Sequence, residues 1–171
     1  MWKVVGLGIA ALLVTVSAQG QSAKALSKND HTEIHELYAR YAQSIDRSDA
    51  AGYGGVFTED GVFIIDDPTH AVSGNATFTG RKAIAALVRN PPRDHPKVTH
   101  FYSNILVEPT PDGAKGSDYV IMIDLQKNPA ITGGGVCEDD LVRTSEGWRF
   151  KKRVCSVEPG PPKAANQTSS R

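Results

Sequence analysis

The sequence lacks an excess of charge of either sign and has no internal repeat. Nineteen basic side chains balance nineteen acidic ones over 171 residues. A surface that binds nucleic acid or an anionic membrane normally carries an excess of basic residues, so neither is expected as the main partner. A chain of this length has room for one domain built around one core.

The sequence also lacks an apolar run long enough to span a bilayer, which takes about 20 residues. The longest run, residues 4–16, follows Lys3, and small residues at 16–18 and 21–23 offer two cleavage sites. This pattern is typical of an export signal, and no cysteine follows it to carry a lipid. We therefore expect residues 1–23 to be a signal peptide and the protein to be secreted or periplasmic, without stable membrane anchoring after cleavage. An uncleaved, membrane-anchoring N-terminus is the alternative.

Cysteine is scarce, with only Cys137 and Cys155. Residues 144–147 read as a hairpin turn with Gly147 in the left-handed position. If Thr144 then faces Trp148, counting outward places the two cysteines opposite each other, close enough to bridge. An oxidising compartment would permit that disulfide. Two free core thiols are the alternative, because one bulge would break the register.

The first helix of the chain contains a charged residue where its pattern asks for an apolar one. Its apolar side chains recur at helical spacing on one face: Ile34, Leu37, Tyr38, Tyr41, Ala42 and Ile45. The same face continues to Asp46. A buried, unpaired carboxylate costs several kcal/mol, so Asp46 is expected to have a partner.

The remaining pattern predicts an α+β domain, with helices early and antiparallel strands late. The segment 27–30, Ser27 to Asp30, provides helix-cap candidates, with Glu33 in capping-box position after Asp30. A weak second helix is predicted over 50–57 and another over 80–88. Strands are expected at 62–65, 76–79, 98–108, 118–126, 131–144 and 148–157. The three glycines at 133–135 indicate a bend or bulge, and the tail 158–171 is predicted to be disordered.

One histidine on a predicted strand is a candidate partner for Asp46. Strict alternation places His100, Tyr102 and Asn104 on one face of that strand. An imidazole oriented by a carboxylate can act as a general base. A structural histidine is the alternative, and spacing alone favours it.

Five motifs in order resemble the SnoaL-like branch of the NTF2-like superfamily over residues 28–157. They are Tyr41-x4-Asp46-x2-Asp49, Phe57-Thr-Glu-Asp-Gly-Val-Phe63, Gly80-Arg81-x2-Ile84, His100-x3-Asn104 and Gly147-Trp-Arg-Phe150. The resemblance implies a cone in which a strongly curved, mostly antiparallel sheet wraps around the N-terminal helix. Together with the end of the expected signal peptide, it indicates one domain over residues 24–157. Relatives include scytalone dehydratase, bile-acid 7α-dehydratase, hexachlorocyclohexane dehydrochlorinase and polyketide cyclases.

The resemblance also implies site residues and a reaction class. In the dehydratases and the dehydrochlorinase, a strand histidine paired with an aspartate is the base, and these positions fall on His100 and Asp46. Substrate-contacting positions fall on Tyr41, Phe63 and Arg143, and Tyr102 is a further candidate. The implied activity is a cofactor-independent lyase, or an isomerase or cyclase, acting on a small, largely apolar cyclic molecule. Ile45 stands where scytalone dehydratase has a tyrosine, and no second histidine occurs at 124–128, so its specific reaction is not implied.

Other readings remain. The same fold also serves as a non-catalytic ligand-binding or dimerisation module, in which Asp46 and His100 would be a satisfied buried pair. A homodimer through the outer face of the sheet is one expected assembly. His31 and His35 lie one helical turn apart, but they do not form a zinc motif, and a solvated face is favoured. No metal or organic cofactor is implied.

Overall fold

The computed structural model describes residues 23–67, 74–89, 98–126 and 129–159. Within these ranges the chain forms three helices: α1 (Lys28–Asp46), α2 (Ala50–Gly55) and α3 (Arg81–Arg89). The strands are β1 (Phe57–Asp66), β2 (Ala76–Thr79), β3 (Val98–Thr110), β4 (Gly113–Asp124), β5 (Ala130–Thr144) and β6 (Gly147–Pro159). The predicted signal peptide, except its last residue, and most of the predicted tail lie outside these ranges. No helix in the described ranges is long and apolar enough to cross a membrane.

The strands form a single sheet in the order β2-β1-β6-β5-β4-β3. β1 and β6 are parallel to each other, and the other neighbouring strands are antiparallel. The helices precede the run of long strands, so the predicted α+β class is confirmed. β6 is the last strand in the described part of the chain, yet it pairs with both β1 and β5.

Helix α1 is capped by Ser27, the first residue of the predicted cap segment. The Ser27 hydroxyl accepts the backbone N–H of Asp30 at 3.1 Å, and the Asp30 carboxylate accepts the N–H of Ser27 at 2.9 Å. This reciprocal pair is a capping box with Asp30 in the third helical position. Glu33 accepts instead from Arg143 across the domain, so it does not occupy the capping-box position predicted for it.

The apolar stripe of α1 forms the centre of the core. Ile34, Leu37, Tyr38 and Tyr41 are fully buried, and the helix packs against β3 and β6. Burying each such side chain contributes about 1.5–3 kcal/mol before the loss of chain entropy. The helix stops after Asp46, since Ser48 adopts a left-handed conformation with φ 55°. The stripe therefore fixes the end of α1, and Asp46 with it, against the sheet.

The C-terminal hairpin brings the two cysteines together by a different register from the predicted one. Thr144 pairs with Gly147, not with Trp148, so the count at the turn is one residue off. A one-residue bulge farther along the hairpin restores the register and places Cys137 opposite Cys155. The two form a disulfide. A bulge was the feature expected to separate the two cysteines, and in the structure a bulge is what aligns them.

The glycines of β5 lie beside a second irregularity, as predicted. The β4–β5 register shifts by one residue immediately next to Gly133. A side chain at Gly135 would bring a Cβ atom to 2.1 Å from the carbonyl oxygen of Ser156 on β6. Glycine at 135 therefore allows β5 and β6 to approach closely near the disulfide.

Candidate functional site

Asp46 and His100 are brought together at the C-terminal end of α1. The Asp46 Oδ1 atom lies 2.7 Å from Nδ1 of His100. The same carboxylate also accepts the backbone N–H of His100, at 3.2 Å to Oδ1 and 3.3 Å to Oδ2. One carboxylate therefore holds both the imidazole ring and the strand that carries it.

The second ring nitrogen of His100, Nε2, has no hydrogen-bond partner among the described residues. Because Nδ1 donates its proton to Asp46, Nε2 carries the lone pair. The side chains of His100 and Asp46 are 14% and 23% exposed, so the pair is neither sealed nor fully solvated. A carboxylate-oriented imidazole with a free nitrogen has the geometry of a general base.

Strand β3 does not keep the predicted alternation. His100 and Tyr102 face α1, since His100 contacts Asp46 and the Tyr102 ring packs on Tyr41. Asn104, expected on the same face, is exposed. Its backbone is left-handed, with φ 54°, and the β3–β4 register shifts beside it.

Aromatic side chains fill the interior of the cone next to the pair. Tyr41 and Phe63 are buried with their ring centroids 6.4 Å apart, and Tyr102 lies 5.3 Å from Tyr41. The Tyr102 ring is nearly parallel to the imidazole of His100, at 6.3 Å. The Tyr41 hydroxyl is 3.2 Å from that of Tyr53 on α2. Three of the predicted substrate-contacting residues, Tyr41, Phe63 and Tyr102, therefore form one aromatic cluster, which reaches His100 through Tyr102.

Two tyrosines of the interior, Tyr53 and Tyr102, remain protonated. Burial raises the pKa of both Tyr53 and Tyr102 well above the ordinary value, and the neighbouring Tyr41 raises it further. Neutral hydroxyls donate hydrogen bonds, which is the property required to stabilise a developing oxyanion.

Arg143 is not part of this cluster, contrary to the prediction from the resemblance. Its guanidinium donates to Asp30 at 2.5 Å and to Glu33 at 3.1 Å, and the side chain is 48% exposed. These acidic residues lie in the first turns of α1, whereas Asp46 is its last residue. Since a helix rises about 1.5 Å per residue, Arg143 sits roughly 20 Å from the pair. It ties the C-terminal hairpin to the start of α1.

The arginine inside the cone is Arg153 on β6, which the sequence interpretation missed. It is completely buried and donates to Asp139 at 2.6 Å and to Asp118 at 2.9 and 3.1 Å. Its guanidinium carbon lies 4.5 Å from the ring centre of Tyr41 and 5.2 Å from that of Tyr102. Arg153 therefore packs against the rings of Tyr41 and Tyr102, and Tyr102 in turn packs beside His100.

The charges around Arg153 perturb one another. Burial raises the pKa of Asp139 to about 6, although Arg153 and the Tyr38 hydroxyl, which donates to Asp139 at 2.7 Å, act in the opposite sense. Burial likewise raises the pKa of Asp118. Burial alone would lower the pKa of Arg153, but the two carboxylates and nearby tyrosines raise it. One buried cation thus faces two carboxyl groups, and Asp139 binds a proton more readily than an ordinary aspartate.

The inward position of Asp139 and Arg153 can be inferred from their spacing to the two cysteines. Residues two apart on a strand share a face. If Cys137 and Cys155 face each other, Asp139 and Arg153 must face each other on the same side, as they do in the β5–β6 register. The run Lys151-Lys152-Arg153 resembles a solvated surface, which concealed the inward position of its third residue.

A groove of about 370 Å³ crosses the outer face of the sheet, away from His100. Its lining is mainly charged and includes Glu108, Lys115, Glu138, Asp140 and Lys152. Exposed apolar side chains lie nearby on the same face, namely Phe101, Tyr119, Ile121 and Val136. In the part of the chain that the structure describes, no three His, Cys, Asp or Glu side chains lie close enough to hold a metal ion.

Comparison with known proteins identifies the domain type. The family model described as "SnoaL-like domain" matches residues 27–154. No curated protein matches the sequence significantly. An NTF2-like protein with a cystatin-like fold from Novosphingobium aromaticivorans is similar in structure, with a TM-score of 0.67, 26% identity, and coverage of 78% of this chain and 85% of that one.

Two further solved structures share the fold at lower identity. ActVI-ORFA from Streptomyces coelicolor has a TM-score of 0.63 and 23% identity, covering 77% of this chain and 98% of its own. LinA has a TM-score of 0.65 and 18% identity, covering 80% of this chain and 92% of its own. These likenesses establish the architecture in which Asp46 and His100 meet.

Proposed function

This chain belongs to the SnoaL-like domain family, and we propose that it is a cofactor-independent lyase of the dehydratase type, with isomerisation or cyclisation as the next alternatives. The substrate is a small, largely apolar cyclic molecule. The observation that carries this proposal is the 2.7 Å contact between Asp46 and Nδ1 of His100, which leaves Nε2 free as a base.

The reaction begins with proton transfer from carbon. Nε2 of His100 takes a proton from a carbon next to a carbonyl or a leaving group, and Asp46 stabilises the resulting imidazolium. In an elimination, the electron pair of the broken C–H bond forms the new C=C bond while the leaving group departs with its own pair. If that group is hydroxide, the proton held by His100 can return to it, giving water.

The tyrosine cluster supports stabilisation of the negative charge that this step creates. Tyr102 packs parallel to the His100 ring, and Tyr41 packs against Tyr102. Their hydroxyls can donate hydrogen bonds to a substrate carbonyl oxygen. The guanidinium of Arg153 packs on the rings of both tyrosines and helps to hold them in place.

Export of the protein is part of the proposal. The disulfide between Cys137 and Cys155 fits an oxidising compartment, and the N-terminal sequence has the pattern of a signal peptide. Cell fractionation with intact-mass measurement tests this. The mature protein should begin near residue 19 or 24 and lose two protons relative to its reduced form. A cytoplasmic protein of full length would contradict it.

Hydrogen–deuterium exchange at carbon tests the base without knowledge of the leaving group. A panel of cyclic ketones and enones is incubated with the protein in D2O, and NMR follows loss of the acidic C–H signal. We expect the wild-type protein to accelerate exchange for at least one compound. His100→Ala should lower that rate by about 10²–10⁴-fold, the usual contribution of a general base, and Asp46→Asn should lower it less.

Two exposed histidines provide matched controls. His31→Ala and His35→Ala remove imidazoles of the same chemistry from the solvated face of α1 and should leave exchange unchanged. If His100→Ala exchanged as fast as the wild type, the proposed mechanism would be wrong.

A second candidate function is supported by the filled interior of the cone. Tyr41, Phe63 and Tyr102 occupy the space beside His100, and the groove that the structure shows lies on the outer face. A ligand-binding or dimerising module without catalysis would have these properties. Compounds of the panel that shift NMR resonances near Tyr102 without exchanging any C–H proton would favour this second function.

A further inference from the structure

The two halves of β3 direct different residues toward the core: even-numbered residues in the first half and odd-numbered residues in the second. In the first half the even-numbered residues His100 and Tyr102 face α1, while Phe101 is 51% exposed. In the second half the odd-numbered residues Ile105 and Val107 pack against the core, while Leu106 is 60% exposed. An unbroken strand with a period of two residues cannot bury both sets on one side.

The neighbouring strand does not change phase. Residues of β4 opposite both halves of β3 alternate without interruption, and its buried positions are Ala114, Gly116, Asp118, Val120 and Met122. The switch therefore belongs to β3 alone.

The switch is located at one residue. Ser103 pairs with Tyr119 and Leu106 pairs with Ser117, so two residues of β3 stand opposite the single residue Asp118. This is a β-bulge, and its first residue, Asn104, is left-handed with φ 54°. Among non-glycine residues, asparagine adopts this conformation most readily, because its short polar side chain can hydrogen-bond locally.

We propose that Asn104 is a positioning residue for His100: its left-handed bulge turns the first half of β3 so that the imidazole faces Asp46. Without the extra residue, the inward packing of Ile105 and Val107 would direct Phe101 to the core and His100 to the outer face. The inference rests on the proposed role of His100 as the base, but its structural content can be tested without any substrate.

Deletion of Asn104 should reverse the faces of the first half of β3. Both native cysteines are held in the disulfide, so an introduced cysteine is the only free thiol. Phe101→Cys in the wild-type background should react rapidly with a thiol reagent. In the deletion background we expect its labelling to slow by about tenfold or more, because access controls thiol reactivity.

Leu106→Cys is the matched control. It lies on the same face of the same strand, beyond the bulge, and should label rapidly in both backgrounds. Unchanged labelling of both variants after the deletion would overturn the proposal. Protection of the Leu106→Cys thiol, with the Phe101→Cys thiol still accessible, would also overturn it, since the bulge would then serve the second half of β3 and not His100.

Substitutions at Asn104 provide the test if the deletion variant does not fold. The signature is the downfield proton resonance of the His100 Nδ1–H held by Asp46, identified by its loss in Asp46→Asn. Asn104→Gly, which tolerates positive φ, should keep this resonance. In Asn104→Val, whose side chain resists positive φ, the resonance should lose most of its intensity. A resonance of equal intensity in both variants contradicts the positioning role.

These results are separable from the proposed function. A His100→Ala protein that kept its exchange activity would remove the base but leave the labelling pattern intact. Unchanged labelling and resonance in the Asn104 variants would remove the positioning role while leaving the base mechanism standing.

Discussion

Two acid–base groups in the same cone differ in their access to solvent. Asp46 and His100 meet at 2.7 Å at the end of α1, with both side chains partly exposed. Arg153 binds Asp139 at 2.6 Å and Asp118 at 2.9 Å, with all three side chains buried. The hydrogen-bond lengths are similar, so the difference between the two groups lies in burial.

That difference assigns the two groups separate tasks. In the buried group a charge that loses its partner has no water to replace it, so the arrangement resists change. In the open pair Nε2 has no partner among the described residues and can gain a proton while Asp46 compensates the charge. The buried group therefore supports the structure, and the open pair is suited to chemistry.

The largest loss of stability is expected when the buried cation is removed. Arg153→Met leaves Asp118 and Asp139 buried without a partner, which costs about 3–5 kcal/mol of unfolding free energy. Urea unfolding measures it. Adding Asp118→Asn and Asp139→Asn to the same variant should recover part of the loss, because the carboxylates are then neutral. A loss below about 1 kcal/mol in the single variant would mean that the group does not stabilise the fold.

The disulfide beside this group should have the next largest effect. Cys137 and Cys155 are 18 residues apart in sequence, so the bridge closes a loop worth about 3 kcal/mol of unfolding free energy. A Cys137→Ala, Cys155→Ala double variant should lose about that amount in urea unfolding. Reduction of the wild type should cause the same loss and leave the double variant unaffected. Equal stability of reduced and oxidised wild type would contradict this prediction.

The pH-dependent contribution of Asp139 to the unfolding free energy should come next in size after that of the disulfide. Its folded pKa of about 6 lies above the ordinary 3.8, so the folded state binds this proton more tightly than the unfolded state. The stabilisation is full below pH 3.8 and is lost as the pH rises through 6, amounting to about 3 kcal/mol. Between pH 4 and 7 the wild type should therefore lose unfolding free energy relative to Asp139→Asn, which has no proton to release at this position. Parallel curves for the two proteins would refute the assignment.

The smallest effect on stability is expected at the open pair. Asp46→Asn replaces a charge-assisted hydrogen bond by a neutral one at a partly exposed site, which costs about 1 kcal/mol. The same substitution should nevertheless reduce carbon–deuterium exchange, which Asp139→Asn should affect less. If Asp46→Asn destabilised the protein as much as Arg153→Met, the contrast between the two groups would fail.

The open pair could be predicted from the sequence because Asp46 interrupts the apolar pattern of α1 and His100 lies where the alternation of β3 is still regular. Asp46 continues the apolar stripe of α1, and His100 lies four residues before the strand changes phase, so alternation still holds there. The family resemblance then added the same two residues. The α+β class followed from the order of helices and strands.

The remaining site residues could not be placed because register depends on local irregularities. Asn104 was assigned to the inner face, since the bulge beside it leaves no mark in the alternation of residue types. The resemblance implies a pocket position for Arg143, but it does not define how far along α1 this side chain lies. Arg153 was overlooked in a basic run, although its spacing from Cys155 indicated the inner face.

The place of β6 in the sheet has a consequence for the order of folding. This last strand lies between β1 and β5, so the first two strands have no sheet partner other than each other until residues 147–159 are available. A nascent chain that has not yet released these residues cannot join the two parts of the sheet. Folding of the domain must therefore wait for nearly all of it to be synthesised, and the contacts that complete it are those most distant in sequence.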